Sequence, residues 1–92
     1  MTSKSMTLPE RLPIDEAPAL RESLLGNRFT ALEIDATETQ GASTLTLQIL
    51  VSAAAQWRID KHPFHLRASA ALYSDFATLG LLFPELTQEP SA

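Results

Sequence analysis

Two groups of side chains have the types that site chemistry needs. Glu33, Asp35 and Glu38 place three carboxylates close together, a set able to move protons or hold a divalent cation. His62 and His65 flank Pro63, and imidazole is the commonest metal ligand. Neither group closes into a site. Glu33 and Asp35 fall on the same side of a strand with nothing else converging on them, so a solvated strand edge accounts for them best. The two histidines are separated by a loop-to-strand boundary, and the chain has no cysteine to complete a metal site. No serine has a histidine spaced to activate it, and there is no glycine-rich phosphate loop. The expectation is a protein that is not an enzyme and carries no metal and no cofactor.

What remains is a set of hydroxyls and amides on one helix. Residues 32–35 alternate Leu32 and Ile34 with Glu33 and Asp35, the pattern of a half-buried strand. A polar turn over residues 37–41 follows, and a long helix begins near Ala42. On a 3.6-residue repeat Leu47, Leu50, Ala54 and Trp57 share one face, widened by Leu45, Ile49, Val51 and Ala53. The opposite ridge is Thr44, Gln48, Ser52 and Ala55. A solvated ridge normally carries Lys, Glu or Arg, yet nothing from residue 41 to residue 56 is charged. Two readings follow: another protein covers the ridge, or the helical register drifts and the domain itself buries part of it. On the first reading the contact residues are Thr37 and Gln40 in the turn and Thr44, Gln48, Ser52 and Ala55 on the helix. Ser43 and Thr44 also stand where a helix N-cap belongs.

These residues sit in a chain of 92 residues, enough for one small domain. Apolar residues make up 45%, which supplies a core, and the net charge of -4 argues against nucleic acid, whose phosphates require a positive field. The first residues lack the apolar segment of a signal peptide, and no run approaches membrane-spanning length, so a soluble cytoplasmic protein without direct membrane insertion is expected. Residues 1–5 read as a flexible N-terminus. Residues 5–8 form a short first strand stopped by Pro9. A helix capped by Asp15 follows, with Pro18 in its first turn, Ala17, Leu20 and Leu24 inward, and Gly26-Asn27 as its stop. The central strand spans residues 29–35, and the long helix closes at Pro63. Phe64 and Leu66 then point inward from a third strand. Ser69 caps a third helix with Leu72, Phe76 and Leu79 inside, ended by Gly80. Residues 81–83 close over the core, and residues 84–92 are polar, with 85–92 expected to be a tail. Strand, helix, strand, helix, strand, helix with right-handed crossovers predicts an α/β fold: a small single-layer, mainly parallel sheet with helices packed against it.

Over roughly residues 5–84 the chain resembles a STAS domain, the fold of anti-anti-sigma factors and of the cytoplasmic tails of sulfate transporters. A strand ending in Asp35 is followed by the hydroxyl of Thr37. The loop then enters a helix whose family pattern is Asp, Ser or Thr, a small residue, Gly and Leu. Ser43, Thr44, Leu45, Thr46 and Leu47 stand at those places, so the family's Asp and Gly are absent. A Phe64-x-Leu66 strand and the Leu79-Gly80-Leu81 helix end complete the likeness. The resemblance implies a STAS-like domain over residues 6–84 that works as a protein–protein interaction module in bacterial signal transduction. It implies Thr44, with Ser43 beside it, as the phosphoacceptor candidate, and a signalling kinase or anti-sigma factor as partner. The missing Asp turns the expectation toward divergent single-domain members that accompany chemotaxis kinases. The alternative is the STAS subunit of a membrane lipid-transport ATPase complex. A homodimer would use the same neutral ridge. Nucleotide binding is disfavoured because no basic residue lies near residues 37–46.

Overall fold

The computed structural model describes residues 3–88; the rest of the expected N-terminal segment and of the expected tail lie outside the described residues. The elements are β1 (Ser3–Thr7), β2 (Arg11–Leu12), a 3₁₀ turn (Ile14–Glu16), α1 (Ala17–Gly26), β3 (Ala31–Ala36), β4 (Gly41–Ala42), α2 (Thr44–Asp60), β5 (Phe64–Ala68), α3 (Ala70–Thr78) and β6 (Leu86–Gln88). The main sheet has the order β1-β3-β5-β6, and every pairing in it is parallel. A small parallel pair, β2 with β4, stands apart from it. The fold is thus a single α/β layer, as the pattern of apolar residues predicts.

Parallel pairing stacks the inward residues in rows. Ile34 lies beside Leu66, and Leu66 beside Leu86. Leu32, Ala36, Phe64 and Ala68 share that face, and all are buried. The helices cover it with Leu20 and Leu24 from α1, Leu47, Leu50 and Trp57 from α2, and Leu72 and Phe76 from α3. Trp57 tilts against Phe64 and donates its indole N–H to the Thr30 carbonyl at 2.7 Å, so its polar edge is satisfied inside the core.

Local chemistry sets the helix ends. Ser43 and Ser69 are N-caps whose hydroxyls accept from the backbone N–H of Thr46 and Leu72. Both C-termini close by the same pair of bonds. His62 N–H reaches the Trp57 carbonyl and Lys61 N–H that of Arg58; Leu81 N–H reaches Phe76 and Gly80 N–H reaches Ala77. This motif needs a left-handed residue after the helix. Gly80 (φ 69°) supplies it without cost, whereas Lys61 (φ 62°) adopts it against its side chain.

The structure differs from the sequence expectation at several boundaries. β1 begins at Ser3, so residues 3–5 belong to the sheet; an edge strand needs only backbone pairing, and its exposed Lys4 and Ser5 hide it from a hydrophobicity pattern. β3 starts at Ala31, because Phe29 is in the left-handed region (φ 68°) and cannot extend a strand. Asp15 does not cap α1: it lies inside the 3₁₀ turn, and no side chain caps that turn or the helix. The expected tail contains a fourth strand. β6 satisfies the free edge of β5 and buries Leu86, and Arg58 clamps its approach through Glu85 at 2.7 Å.

Candidate functional site

The segment between β3 and α2 is held from both sides. Asp35 Oδ1 accepts from Thr37 N–H at 3.0 Å and from Thr37 Oγ1 at 2.6 Å, closing a turn in which the side chain imitates a backbone acceptor. These two bonds, the hydroxyl's first, hold the Asp35 carboxyl below the usual carboxylate range, and Arg67 adds to them. Thr39 is fully buried and donates its hydroxyl to the Pro9 carbonyl at 2.8 Å. Its own carbonyl receives the Ser69 hydroxyl. Gln40 N–H bonds Glu10 at 2.7 Å, and Ser43 N–H bonds Leu12 at 2.9 Å. A loop fixed by this many backbone partners delivers α2 in one orientation.

At the start of α2 the two adjacent hydroxyls have different duties. Ser43 Oγ accepts from Thr46 N–H at 3.2 Å and pairs with the buried Thr46 Oγ1 at 2.9 Å. The buried Thr46 hydroxyl therefore gives the cap a second partner. Thr44 is exposed, and its hydroxyl makes no hydrogen bond within the described residues. Of the two phosphoacceptor candidates, only Thr44 presents a free hydroxyl.

The structure brings Thr44, Gln48 and Ser52 together, all exposed on the outward side of α2, with Ala55 half-buried beside them. The ridge is not taken into the domain by register drift. Gln40 is exposed in the preceding loop, while the Thr37 hydroxyl is spent on Asp35. Leu45, expected to widen the apolar face, is instead 43% exposed, and Ile59 near the other end of the helix is 73% exposed. Ile59 could have been found by extending the outward ridge beyond Ala55 at helical spacing, since Ser52, Ala55 and Ile59 recur every three or four residues.

Among the described residues the other side of the sheet carries no helix and is coated by polar side chains. The carboxylates of β3, expected to stand alone, have partners. Arg67 Nη2 lies 3.5 Å from both Glu33 and Asp35. His65 lies 3.8 Å from Glu33 and bonds the Thr87 hydroxyl at 2.8 Å. The register puts Glu33 beside His65 and Asp35 beside Arg67, so a carboxylate and the Arg67 guanidinium meet across adjacent strands. His62 is elsewhere, edge-on to Phe29, so the two histidines do not converge. Among the described residues no group of three His, Asp or Glu side chains is placed to hold a metal ion. No helix in this range is long and apolar enough to cross a membrane. The chain matches no family model, no curated protein and no solved structure.

Proposed function

We propose that this chain is a STAS-type adaptor of bacterial signal transduction, acting in the cytoplasm without catalysis of its own. It docks a protein partner, a sensor kinase of the chemotaxis type or an anti-sigma factor, on the outward ridge of α2 and the loop before it. One observation carries the reading: Thr44, Gln48 and Ser52 are exposed together on a helix with no charged residue before Arg58. Charge is the ordinary means of keeping a helix face in water, and interface centres are depleted of it. The fixed loop supports the reading further, because a preformed surface loses little freedom on binding. Thr44 offers a means of control. Phosphate there would be accepted by the first-turn N–H groups and would place nearly two negative charges beside Gln48.

The test is affinity purification from the native cell, with mass spectrometry of co-purifying proteins and of phosphate on Thr44. A kinase or anti-sigma factor that is captured by the wild type and lost with Gln48→Arg is the expected result. Recovery of membrane lipid-transport ATPase subunits, or of the chain alone, would overturn the signalling assignment.

A further inference from the structure

Between α1 and α2 runs an open groove of about 500 Å³. Ile49 and Trp57 lie along its floor, Arg21 and Leu25 on the α1 side, Leu45 and Gln48 on the α2 side. Two of its apolar lining residues are open to solvent: Leu45 is 43% exposed and Leu25 49%. From Leu45 to Gln56 the α2 wall is about 17 Å long, which matches three turns of a second helix. Charge narrows the class of occupant. Acidic residues outnumber basic ones 11 to 7 in the chain, yet no carboxylate lines this groove and two arginines do. Arg28 is already tied to Asp60 at 2.9 Å. Arg21 is exposed and makes no ion pair within the described residues.

We infer that this groove receives an amphipathic helix of a partner protein, with its apolar ridge on Leu25, Leu45 and Ile49 and a carboxylate on its flank against Arg21. The inference rests on the reading of α2 as a docking helix and specifies the chemistry of the docked segment. Helix-in-groove binding uses apolar anchors at i, i+3, i+4 and i+7, and the carboxylate supplies a charge-assisted contact that fixes direction and register.

The probe is a synthetic helical peptide with leucines at that spacing and glutamates on the flank, without tryptophan, and a control with every glutamate replaced by lysine. Trp57, the single tryptophan, reports binding by its fluorescence, and calorimetry gives the constants. The glutamate peptide is expected to saturate and to bind about tenfold more tightly than the lysine peptide, the worth of one such contact. Arg21→Glu is expected to remove or reverse that preference. The molecule's net charge of -4 favours the lysine peptide, so preference for lysine would overturn the inference. So would the absence of saturation with either peptide, or sedimentation showing the groove closed in a dimer. Ala55→Arg, on the ridge but outside the groove, separates the two readings. If peptide binding survives it and no native partner is ever captured, the groove stands and the signalling assignment fails. If a partner is captured and lost with Ala55→Arg while peptides never bind, the assignment stands and the groove inference fails.

Discussion

Replacing Ser43 by alanine removes two interactions at once. The first is the N-cap, whose loss costs about 1 kcal/mol. The second is the 2.9 Å contact with Thr46 Oγ1, a hydroxyl on a fully buried residue. Left without a partner, such a hydroxyl costs a further 1–2 kcal/mol, roughly. Ser43→Ala is therefore expected to destabilise the domain by about 2–3 kcal/mol, on the order of 10–20 °C in Tm for a chain of this size. Thr44→Ala, one residue on but exposed, is expected to stay within about 0.5 kcal/mol. The double variant Ser43→Ala/Thr46→Val removes both hydroxyls and should recover the second contribution, leaving a deficit near the ~1 kcal/mol of the cap alone. Urea unfolding followed by circular dichroism reads the wild type, Ser43→Ala, Thr44→Ala, Thr46→Val and the double variant, and the cycle closed by Thr46→Val isolates the coupling. If Ser43→Ala is as mild as Thr44→Ala, the hydroxyl does not hold the helix start. If the two losses simply add, Thr46 does not depend on Ser43. The first result would also return Ser43 to standing beside Thr44 as a free phosphoacceptor.

Two further outcomes follow from geometry and charge. Lys61→Gly is expected to raise stability by about 1 kcal/mol in urea unfolding, because the left-handed residue closing α2 (φ 62°) would no longer carry a side chain. Asp35, Asp60 and Glu85 are held below the usual carboxylate range chiefly by Thr37, Arg28 and Arg58. Each takes up its proton less readily folded than unfolded, so its stabilisation is complete above the unfolded pKa of about 4 and is lost as pH falls through the lower folded value. The urea midpoint should therefore decline below about pH 5, and Thr37→Val should make the decline shallower.

The fold was legible wherever a burial pattern wrote it. The alternation Leu32, Ile34 and the pair Phe64, Leu66 marked two strands, and Leu47, Leu50 and Trp57 the inner face of α2, because each of these sits against the core. The edges were legible only in part: β1, expected over residues 5–8, spans Ser3–Thr7, and β6 lies where a tail was expected. β1 and β6 each have one neighbouring strand and are held by backbone bonds that any residue can make. Exposed Ser5 and Thr87 leave no apolar signal. Asp15 misled because a capping residue and a residue inside a 3₁₀ turn look alike before the helix boundary is known. The charge pairs of Arg67 with Glu33 and Asp35 became visible only through the register of β3 against β5, which no single stretch of sequence contains.

The ridge of α2 was readable because it is defined by what it lacks, and a missing charge is as plain in a sequence as a present one. The groove was not, since Arg21 and Leu25 reach it from a helix whose angle and depth depend on the whole sheet. The two features are continuous through Gln48 and Ser52, which belong to the ridge and also line the groove. They differ in how a modification would act on them. The loop before α2 is anchored at Pro9, Glu10, Leu12 and Ser69, and Ser43 holds the first turn, so phosphate on Thr44 meets a helix start that is already fixed. Its effect would come from charge at the binding surface, with the helix left intact. The groove floor at Trp57 lies more than three turns away along α2, about 20 Å, beyond the Debye length of about 8 Å at physiological ionic strength. A Thr44→Glu substitution should therefore weaken docking on the ridge while leaving contacts at the Trp57 end of the groove largely unchanged.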